Sequence, residues 1–175
     1  MSGWLARRWY DLAYWPCFLA TIFGFSLRVA GRRNMPAAGP VLVLSNHQSH
    51  LDPVLLGVAS PRRLASLARR TLFRNRFFAA LIRSLGAFPI DQEGVGKEGI
   101  KTVLDLLASG RAVVVYPEGH RTPDGRLQPL LPGISLILRR ARVPVVPCGI
   151  AGAYHAWPRS RNYPVPSPLF CPASE

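Results

Sequence analysis

From residue 35 onward the chain alternates short apolar runs with amphipathic helical patterns, and this alternation constrains its fold more than any other feature. Apolar runs that predict strands cover residues 41–44, 111–116 and 143–150, and 87–90 is a weaker candidate. Apolar residues at helical spacing lie at 100–107 and 134–141, and 71–84 also has an apolar helical face. This order predicts an α/β fold with a largely parallel sheet flanked by helices.

Two prolines restrict the position of the strand predicted at 143–150. Pro144 and Pro147 both fall within this run. A proline has no backbone N–H, so it cannot donate to a sheet ladder. We therefore expect this strand to lie at an edge of the sheet or to be interrupted.

The composition suits one compact domain with a sizeable core. The chain has 175 residues, of which 49% are hydrophobic and 18% charged, and this mixture excludes a disordered chain. The cysteines are Cys17, Cys148 and Cys171, and they lack metal-ligand spacing. Their odd, scattered count argues against a disulfide scaffold and a structural zinc site, and fits a reducing compartment.

The charge balance is strongly basic. Lys and Arg total 22 against 9 Asp and Glu, for a formal net charge of +13, and Lys97 and Lys101 are the lysines. This excess indicates a polyanionic partner: nucleic acid, an anionic membrane surface or a phosphorylated substrate. Genomic base composition is an alternative explanation of the arginine bias.

The first 33 residues differ from the rest and predict a membrane-associating helical segment. Residues 12–27 carry no charge and are rich in aromatic side chains, with arginines on both sides. A spanning helix needs about 20 apolar residues, whereas this run is shorter and contains Pro16. We favour one or two helices in the membrane interface. A single span and a helix packed on the core are the alternatives. The run lacks a small-residue cleavage site, so we do not interpret it as a removable signal peptide.

Residues 45–53 (Ser-Asn-His-Gln-Ser-His-Leu-Asp-Pro), directly after the first predicted strand, are the first candidate for catalysis. On one helix His47 and Asp52 would point about 140° apart. They can meet if His47 lies in a loop and Asp52 begins a helix with Pro53 at its first position. A neighbouring carboxylate makes an imidazole a better general base. Alternatively, Asp52 only caps the helix and His47 only bonds to the loop backbone. His50 is a less favoured base.

Residues 116–122 (Tyr-Pro-Glu-Gly-His-Arg-Thr) follow the strand predicted at 111–116 and form the second candidate. Gly119 permits a tight turn with positive φ. Glu118 and Arg121 flank it, and the planar fork of an arginine suits phosphate. The alternative is an ordinary turn with a local Glu–Arg pair.

Together these stretches resemble the first and third motifs of the glycerolipid (lysophosphatidate-type, 1-acylglycerol-3-phosphate) acyltransferase family. Those motifs are Asn-His-x-x-x-x-Asp and, some 70 residues later, Phe-Pro-Glu-Gly-Thr-Arg. Residues 86–91 (Gly-Ala-Phe-Pro-Ile-Asp) and 143–147 (Val-Pro-Val-Val-Pro) are similar to the second and fourth motifs. Order and spacing agree from about residue 35 to 150.

The resemblance implies an O-acyltransferase that moves a fatty acyl group from acyl-CoA or acyl-carrier protein to a lysophospholipid. The first expected acceptor is 1-acyl-sn-glycerol-3-phosphate, which would give phosphatidic acid. His47 would be the general base, and Asp52 would orient it. The substrate-binding residues would be Asn46, Glu118, Gly119, Arg121 and Pro147. Arg121 would lie near the phosphate and Pro147 on the acyl-donor side. Neither a metal nor a cofactor beyond the acyl donor is implied.

The residues and the resemblance together predict an organisation and partners. Residues 1–33 would be the membrane-associating segment, 34–157 the acyltransferase catalytic domain, and 158–175 an irregular Pro-rich tail. The expected partners are a lysophospholipid, acyl-CoA or acyl-carrier protein and an anionic membrane surface, but not nucleic acid. The expected location is the cytoplasmic face of the cell membrane. Seven arginines and no acidic residue lie between Asp52 and Asp91. We interpret this run as a basic surface for anionic lipid or donor phosphates, with a solvated helix face as the alternative.

Three positions depart from the family pattern. Tyr116 replaces the usual Phe, and His120 the usual Thr. Gln92 stands where an Arg usually follows the Asp of the second motif, and this loss favours an alternative acceptor such as a lyso-ornithine lipid. A non-catalytic basic module that binds membrane or nucleic acid is the other alternative. It would account for the charge but not for the spaced motifs.

Overall fold

The structure is a computed structural model that describes residues 3–91 and 96–172. Its helices are α1 (Gly3–Phe25), α2 (Asp52–Ala59), α3 (Arg76–Ser84), α4 (Lys97–Ala108), α5 (Gly133–Ala141) and α6 (Ala153–Ala156). Its strands are β1 (Arg28–Ala30), β2 (Val41–Ser45), β3 (Leu64–Arg69), β4 (Ala87–Ile90), β5 (Ala112–Val115), β6 (Val145–Cys148) and β7 (Phe170–Pro172). Short 3-10 helices cover Arg32–Asn34 and Arg70–Phe73.

The centre of the molecule is a five-stranded parallel sheet with the order β4-β3-β5-β2-β6. The predicted α/β fold with a largely parallel sheet is therefore confirmed. β2 and β5 are neighbours, with Leu42 opposite Val113 in the ladder. Residues 41–44 of β2 and all of β5 are continuous apolar runs, as expected for strands whose two faces are covered by helices.

Alternate residues of the central strands enter two separate cores. On one face Val41 and Val43 of β2 pack in a cluster with Leu55 and Leu56 of α2. On the other face Leu42 packs in a cluster with residues of α4 and α5. α1 contacts α2 and α3, so these helices form one layer, and α4 and α5 form the opposite layer. This arrangement follows from right-handed crossovers in a sheet whose order reverses along the chain.

The strand expected at 143–150 is β6, which lies at an edge of the sheet as predicted. The weaker candidate at 87–90 is β4, at the opposite edge. The helices predicted at 100–107 and 134–141 lie within α4 and α5. β3 was not predicted, because its sequence (Leu-Ala-Ser-Leu-Ala-Arg) lacks β-branched residues and strict alternation.

The single helix expected over 71–84 is wrong in its first part. The chain there forms the 3-10 helix Arg70–Phe73, and α3 begins only at Arg76. Asn75 separates the two, because its side-chain Oδ1 accepts a hydrogen bond from the N–H of Phe78 at 3.0 Å and caps α3.

The N-terminal segment contains one long helix, α1, which continues through Pro16. None of the described helices combines the length and apolarity that a membrane span requires. α1 contacts α2 and α3, and the Tyr14 hydroxyl donates to the carbonyl of Val58 at 3.3 Å. Other α1 side chains remain exposed, among them Trp15 and Phe23.

The expectation of an irregular tail over 158–175 is wrong at its described end. β7 pairs in parallel with β1, and Leu169 and Cys171 are buried in the core cluster of α2. Backbone hydrogen bonds join this part of the tail to the segment after α1: Leu169 N–H donates to the carbonyl of Phe25, and Arg28 N–H donates to the carbonyl of Leu169. Local sequence could not indicate this pairing, since the two strands have three residues each and are far apart in the chain.

Two cysteines that look scattered in the sequence are neighbours in the fold. Cys148 ends β6 and Cys171 is the middle residue of β7. Their Sγ atoms lie 3.4 Å apart as free thiols.

Candidate active site

The two candidate stretches meet because β2 and β5 are adjacent and parallel. The first stretch follows the carboxyl end of β2, and the second follows the carboxyl end of β5. Parallel neighbours end on the same edge of a sheet, where ligand sites of α/β folds form. Residues some 70 positions apart are therefore brought into contact.

His47 and Asp52 form a hydrogen-bonded pair. Asp52 is the first residue of α2 and is fully buried. Its Oδ2 accepts hydrogen bonds from His47 Nδ1 at 2.7 Å and from the backbone N–H groups of Gln48 and Ser49 at 2.6 and 2.8 Å. The N-cap position belongs to Leu51 rather than Asp52. The carboxylate therefore does more than cap a helix: it folds the loop back and holds the imidazole.

This pair defines the tautomer and orientation of the His47 ring. A carboxylate only accepts hydrogen bonds, so Nδ1 carries the proton and Nε2 keeps its lone pair. The ring also stacks on Tyr116, with ring centroids 4.0 Å apart and planes inclined by 14°. His47 is 18% exposed and lines a cavity. Nε2 is thus the ring nitrogen available to accept a proton from a bound ligand.

The Glu118 side chain binds the backbone of His47, whereas the sequence predicted that Glu118 binds substrate. Its carboxylate is buried, with Oε1 accepting the N–H of His47 at 2.7 Å and Oε2 accepting the N–H of Gln128 at 2.8 Å. Thr122 N–H donates to the carbonyl of His47 at 2.8 Å. The second stretch therefore anchors both backbone groups of His47. Glu118 is not one of the described residues that line the cavity beside His47.

Asn46 and Pro147 also lie behind the cavity rather than in its lining. Asn46 makes two hydrogen bonds with the backbone of Ile150: Nδ2 donates to the carbonyl at 2.9 Å, and Oδ1 accepts the N–H at 2.7 Å. This side chain ties the end of β2 to the segment after β6. Pro147 lies within β6, opposite Leu44. In this structure Asn46 thus holds backbone and Pro147 is part of the sheet, and contact of either residue with substrate stays a prediction.

A cavity of about 320 Å³ opens beside His47. Its apolar lining consists of Pro53, Leu67, Ala68, Leu72, Ile90, Val114, Val115 and Tyr116. Its polar lining includes His47, His50, Arg69, Gly119, His120 and Arg121. Gly119 has φ 76°, the left-handed conformation that the turn predicts for a glycine. The cavity thus combines an apolar side with a cationic side next to the imidazole.

The cationic side is built around Arg121. Burial lowers the pKa of Arg121, and the nearby guanidinium groups of Arg159 and Arg69 lower it further, while Asp52 acts in the opposite direction. A half-buried guanidinium keeps its charge near neutral pH. Three neighbouring cations repel one another, so an anion in the cavity would relieve that repulsion.

His50 contacts Arg121 across the cavity rim, with Arg121 Nη1 against Nδ1 of the ring and 2.8 Å from Nε2. The pKa of His50 lies below its ordinary value, because of burial first, then the charges of Arg121 and His47. A guanidinium only donates hydrogen bonds, so a ring nitrogen of His50 is the acceptor of this contact. Sequence reasoning placed His50 second as a base and did not single out Arg69 or Arg159. The run of seven arginines without an acidic residue, between Asp52 and Asp91, was the sequence signal that could have identified Arg69.

The predicted second motif ends in an ion-pair cluster outside the cavity. The guanidinium of Arg70 binds the carboxylate of Asp91, with Nη2 3.2 Å from Oδ2. Glu98 Oε2 accepts the N–H of Asp91 at 3.2 Å. Gln92, the departure from the family pattern, lies outside the described residues. Over 3–91 and 96–172, no cluster of three or more His, Cys, Asp or Glu is placed to hold a metal ion.

The chain is similar to known acyltransferases. A family model described as Acyltransferase matches residues 26–151. The 1-acyl-sn-glycerol-3-phosphate acyltransferase of Bacillus subtilis is 31% identical over 127 residues, covering 72% of this chain and 63% of that protein. The alpha form of the Homo sapiens enzyme of that name is 30% identical over 130 residues, covering 72% of this chain and 46% of that protein. The chain thus spans less than two thirds of the length of these relatives.

A solved structure has the same fold. The crystal structure of the 1-acyl-sn-glycerophosphate (LPA) acyltransferase PlsC from Thermotoga maritima matches with a TM-score of 0.77 and 25% sequence identity. The match covers 97% of this chain and 67% of that chain.

Proposed function

This chain belongs to the acyltransferase family whose model matches residues 26–151, and from that premise we propose that it transfers a fatty acyl group to a lysophospholipid. The proposed acceptor is 1-acyl-sn-glycerol-3-phosphate, and the product is phosphatidic acid. The proposed donor is acyl-CoA or acyl-carrier protein. One observation carries the proposal: the hydrogen-bonded His47–Asp52 pair beside a cavity that is apolar on one side and cationic on the other.

His47 acts as the general base in this proposal. Its Nε2 takes the proton of the acceptor hydroxyl while the oxygen attacks the carbonyl carbon of the donor thioester. A C–O bond forms, the C–S bond breaks, and the leaving thiolate recovers the proton from His47. Asp52 stabilises the imidazolium between these steps because its carboxylate holds Nδ1–H at 2.7 Å.

Substrate binding follows from the two sides of the cavity. The acceptor phosphate is proposed to bind at Arg121, with Arg69 contributing from the end of β3. A guanidinium can bind phosphate through two parallel hydrogen bonds. Acyl chains are proposed to lie along the apolar lining. Glu118 and Asn46 are proposed to position the loop that carries His47 rather than to contact substrate.

The test is an acylation assay with the purified chain, 1-acylglycerol-3-phosphate and either acyl-CoA or acyl-carrier protein. Phosphatidic acid is identified by mass spectrometry, and free CoA thiol is measured in parallel. Removal of the general base in His47→Ala is expected to lower the rate by about 10²–10⁴-fold. His155→Ala is the control, since His155 is exposed and lies outside the cavity lining. Equal rates for His47→Ala and wild type would refute the base assignment.

An acceptor panel tests the substrate. Because Gln92 lacks the charge that the family pattern has at this position, the panel includes a lyso-ornithine lipid. A preference for this phosphate-free acceptor would overturn the choice of 1-acylglycerol-3-phosphate. No product from any lysolipid, together with salt-sensitive binding to DNA, would favour the non-catalytic basic module instead.

A further inference from the structure

α3 exposes an apolar surface that the fold does not cover. Within this nine-residue helix only Ala79 is buried. Phe77 is 90% exposed, while Phe78, Leu81 and, in the preceding 3-10 helix, Leu72 are each 44–46% exposed. We call these four residues the α3 face. An amphipathic helix normally packs its apolar side on a core. A contiguous apolar surface left in solvent indicates a binding partner.

The charge around the α3 face indicates the chemistry of that partner. Residues 53–90 contain seven arginines and no Asp or Glu. Arg74 and Arg76 precede Phe77 and are exposed. Arg83 lies in the last turn of the helix, with its guanidinium 5.0 Å from the ring centroid of Phe73. Aromatic side chains between arginines are typical of helices that lie in the surface of an anionic bilayer. An apolar protein groove would explain the phenylalanines but would not require so unbalanced a charge.

The position of the α3 face links it to the cavity. Leu72 belongs to both, since it lines the cavity and is 46% exposed. Thr71 beside it also lines the cavity. α3 further packs against α1, which exposes Trp15 and Phe23. The α3 face thus reaches the cavity lining through Leu72, and α3 packs on a helix that exposes further apolar side chains.

We propose that the α3 face docks on an anionic lipid bilayer, with Phe77 inserted among the headgroups and Arg74 and Arg76 on lipid phosphates. Docking places the rim at Leu72 against the bilayer, so that a lysolipid enters the cavity with its acyl chain kept out of water. The bilayer contact stands on the α3 face alone, whereas the entry route rests on the proposed acyltransferase function.

Vesicle binding tests the contact without any enzymatic readout. The purified chain is sedimented with vesicles of phosphatidylcholine and phosphatidylglycerol in equal parts, and with vesicles of phosphatidylcholine alone. Phe77→Ser is expected to weaken binding to the mixed vesicles by about tenfold, because one apolar ring no longer leaves water. Arg74→Gln combined with Arg76→Gln is expected to weaken it by about twentyfold, and to change little on phosphatidylcholine.

Matched controls come from the opposite layer of the molecule. Leu138→Ser removes a 40% exposed apolar side chain from α5, and Arg139→Gln combined with Arg140→Gln removes two exposed charges from the same helix. These variants are expected to bind both vesicle types as the wild type does. The thermal transition of Phe77→Ser should match that of the wild type, since a 90% exposed ring makes few packing contacts.

Several outcomes would overturn the proposal. One is an equal loss of vesicle binding in Phe77→Ser and Leu138→Ser. Another is no vesicle binding by the wild type together with self-association in ultracentrifugation that Phe77→Ser abolishes, which would assign the face to a second protein copy. For the entry route, Phe77→Ser should lower activity on a long-chain acceptor in vesicles but not on a short-chain soluble one. Absence of all acylation with intact vesicle binding would refute the proposed function and leave the bilayer contact standing.

Discussion

At the scale of single residues, two buried carboxylates serve two different purposes in this site. Asp52 bonds to the ring of His47 and defines which nitrogen can take a proton. Glu118 bonds to the backbone N–H of the same histidine and defines where the ring lies. Both carboxylates are buried, and each offsets its desolvation with hydrogen bonds to N–H groups. Arg121 instead lines the cavity, where its charge is available to a ligand.

These positions predict a kinetic difference between Glu118 and Arg121. Glu118→Gln replaces one accepting oxygen with an NH₂ that faces a backbone N–H, so the His47 loop shifts. We expect a large fall in kcat with a small change in acceptor KM, and a stability loss of about 1–3 kcal/mol. Arg121→Gln should mainly raise the KM for a phosphate-bearing acceptor. Steady-state kinetics on both variants measure the difference. A raised KM with unchanged kcat in Glu118→Gln would instead indicate that Glu118 contacts the acceptor.

His50 predicts a pH dependence of stability. Burial and the charge of Arg121 keep the pKa of His50 below its ordinary value, so between these two values the unfolded chain binds more protons than the folded one. Stability linked to His50 is thus present above the ordinary histidine pKa and is lost as pH falls through the lowered one. Thermal unfolding of wild type and His50→Gln across this range should show a steeper acid-side loss in the wild type. Parallel curves of stability against pH for the two proteins would show that His50 does not cause the acid-side loss.

At the scale of elements, the boundaries of helices and strands follow from local chemistry where that chemistry is strong. Pro144 and Pro147 predict an edge strand, and β6 lies at the edge. The start of α3 depends on Asn75, whose capping bond separates it from the 3-10 helix before it. The apolar periodicity of 71–84 could not reveal this break, because it continues across Asn75.

The cap predicts a measurable change in stability. Asn75→Ala removes the acceptor for the N–H of Phe78, and we expect a loss of about 1 kcal/mol in the free energy of unfolding. Asn75→Ser is the matched control, since a serine oxygen can accept the same bond. Urea titrations of the three proteins make the comparison. Equal stability of the alanine and serine variants would show that α3 does not depend on this cap.

At the scale of the whole molecule, strand order decides which distant residues meet. β2 lies between β5 and β6, so His47 reaches Glu118, and Asn46 reaches Ile150. β7 joins β1 and brings Cys171 next to Cys148. The hydrogen bond between the two thiols lowers the pKa of Cys148, and the same bond together with burial raises the pKa of Cys171.

The thiol pair gives a chemical test of this placement. The azo oxidant diamide should take two electrons and two protons from the pair and close a Cys148–Cys171 disulfide. Thiol titration of the denatured protein should then fall from three free thiols to one. The free energy of unfolding should rise by about 3 kcal/mol for a loop of this size. Cys171→Ser should abolish both effects and Cys17→Ser should keep them. Three free thiols after treatment would contradict the position of β7.

The sequence by itself determined what depends on neighbours along the chain. Apolar periodicity determined the main strands and helices, prolines determined an edge position, and two short motifs identified His47, Asp52 and Arg121. The tertiary structure alone decided that Glu118 and Asn46 hold backbone rather than line the cavity, that the end of the tail is a strand, and that α3 leaves an apolar face in solvent. The physical reason is that the pattern of apolar residues along a helix or strand depends on local backbone geometry, which acts over a few residues. The residues that a side chain contacts depend on strand order, which only the packing of the whole sheet determines.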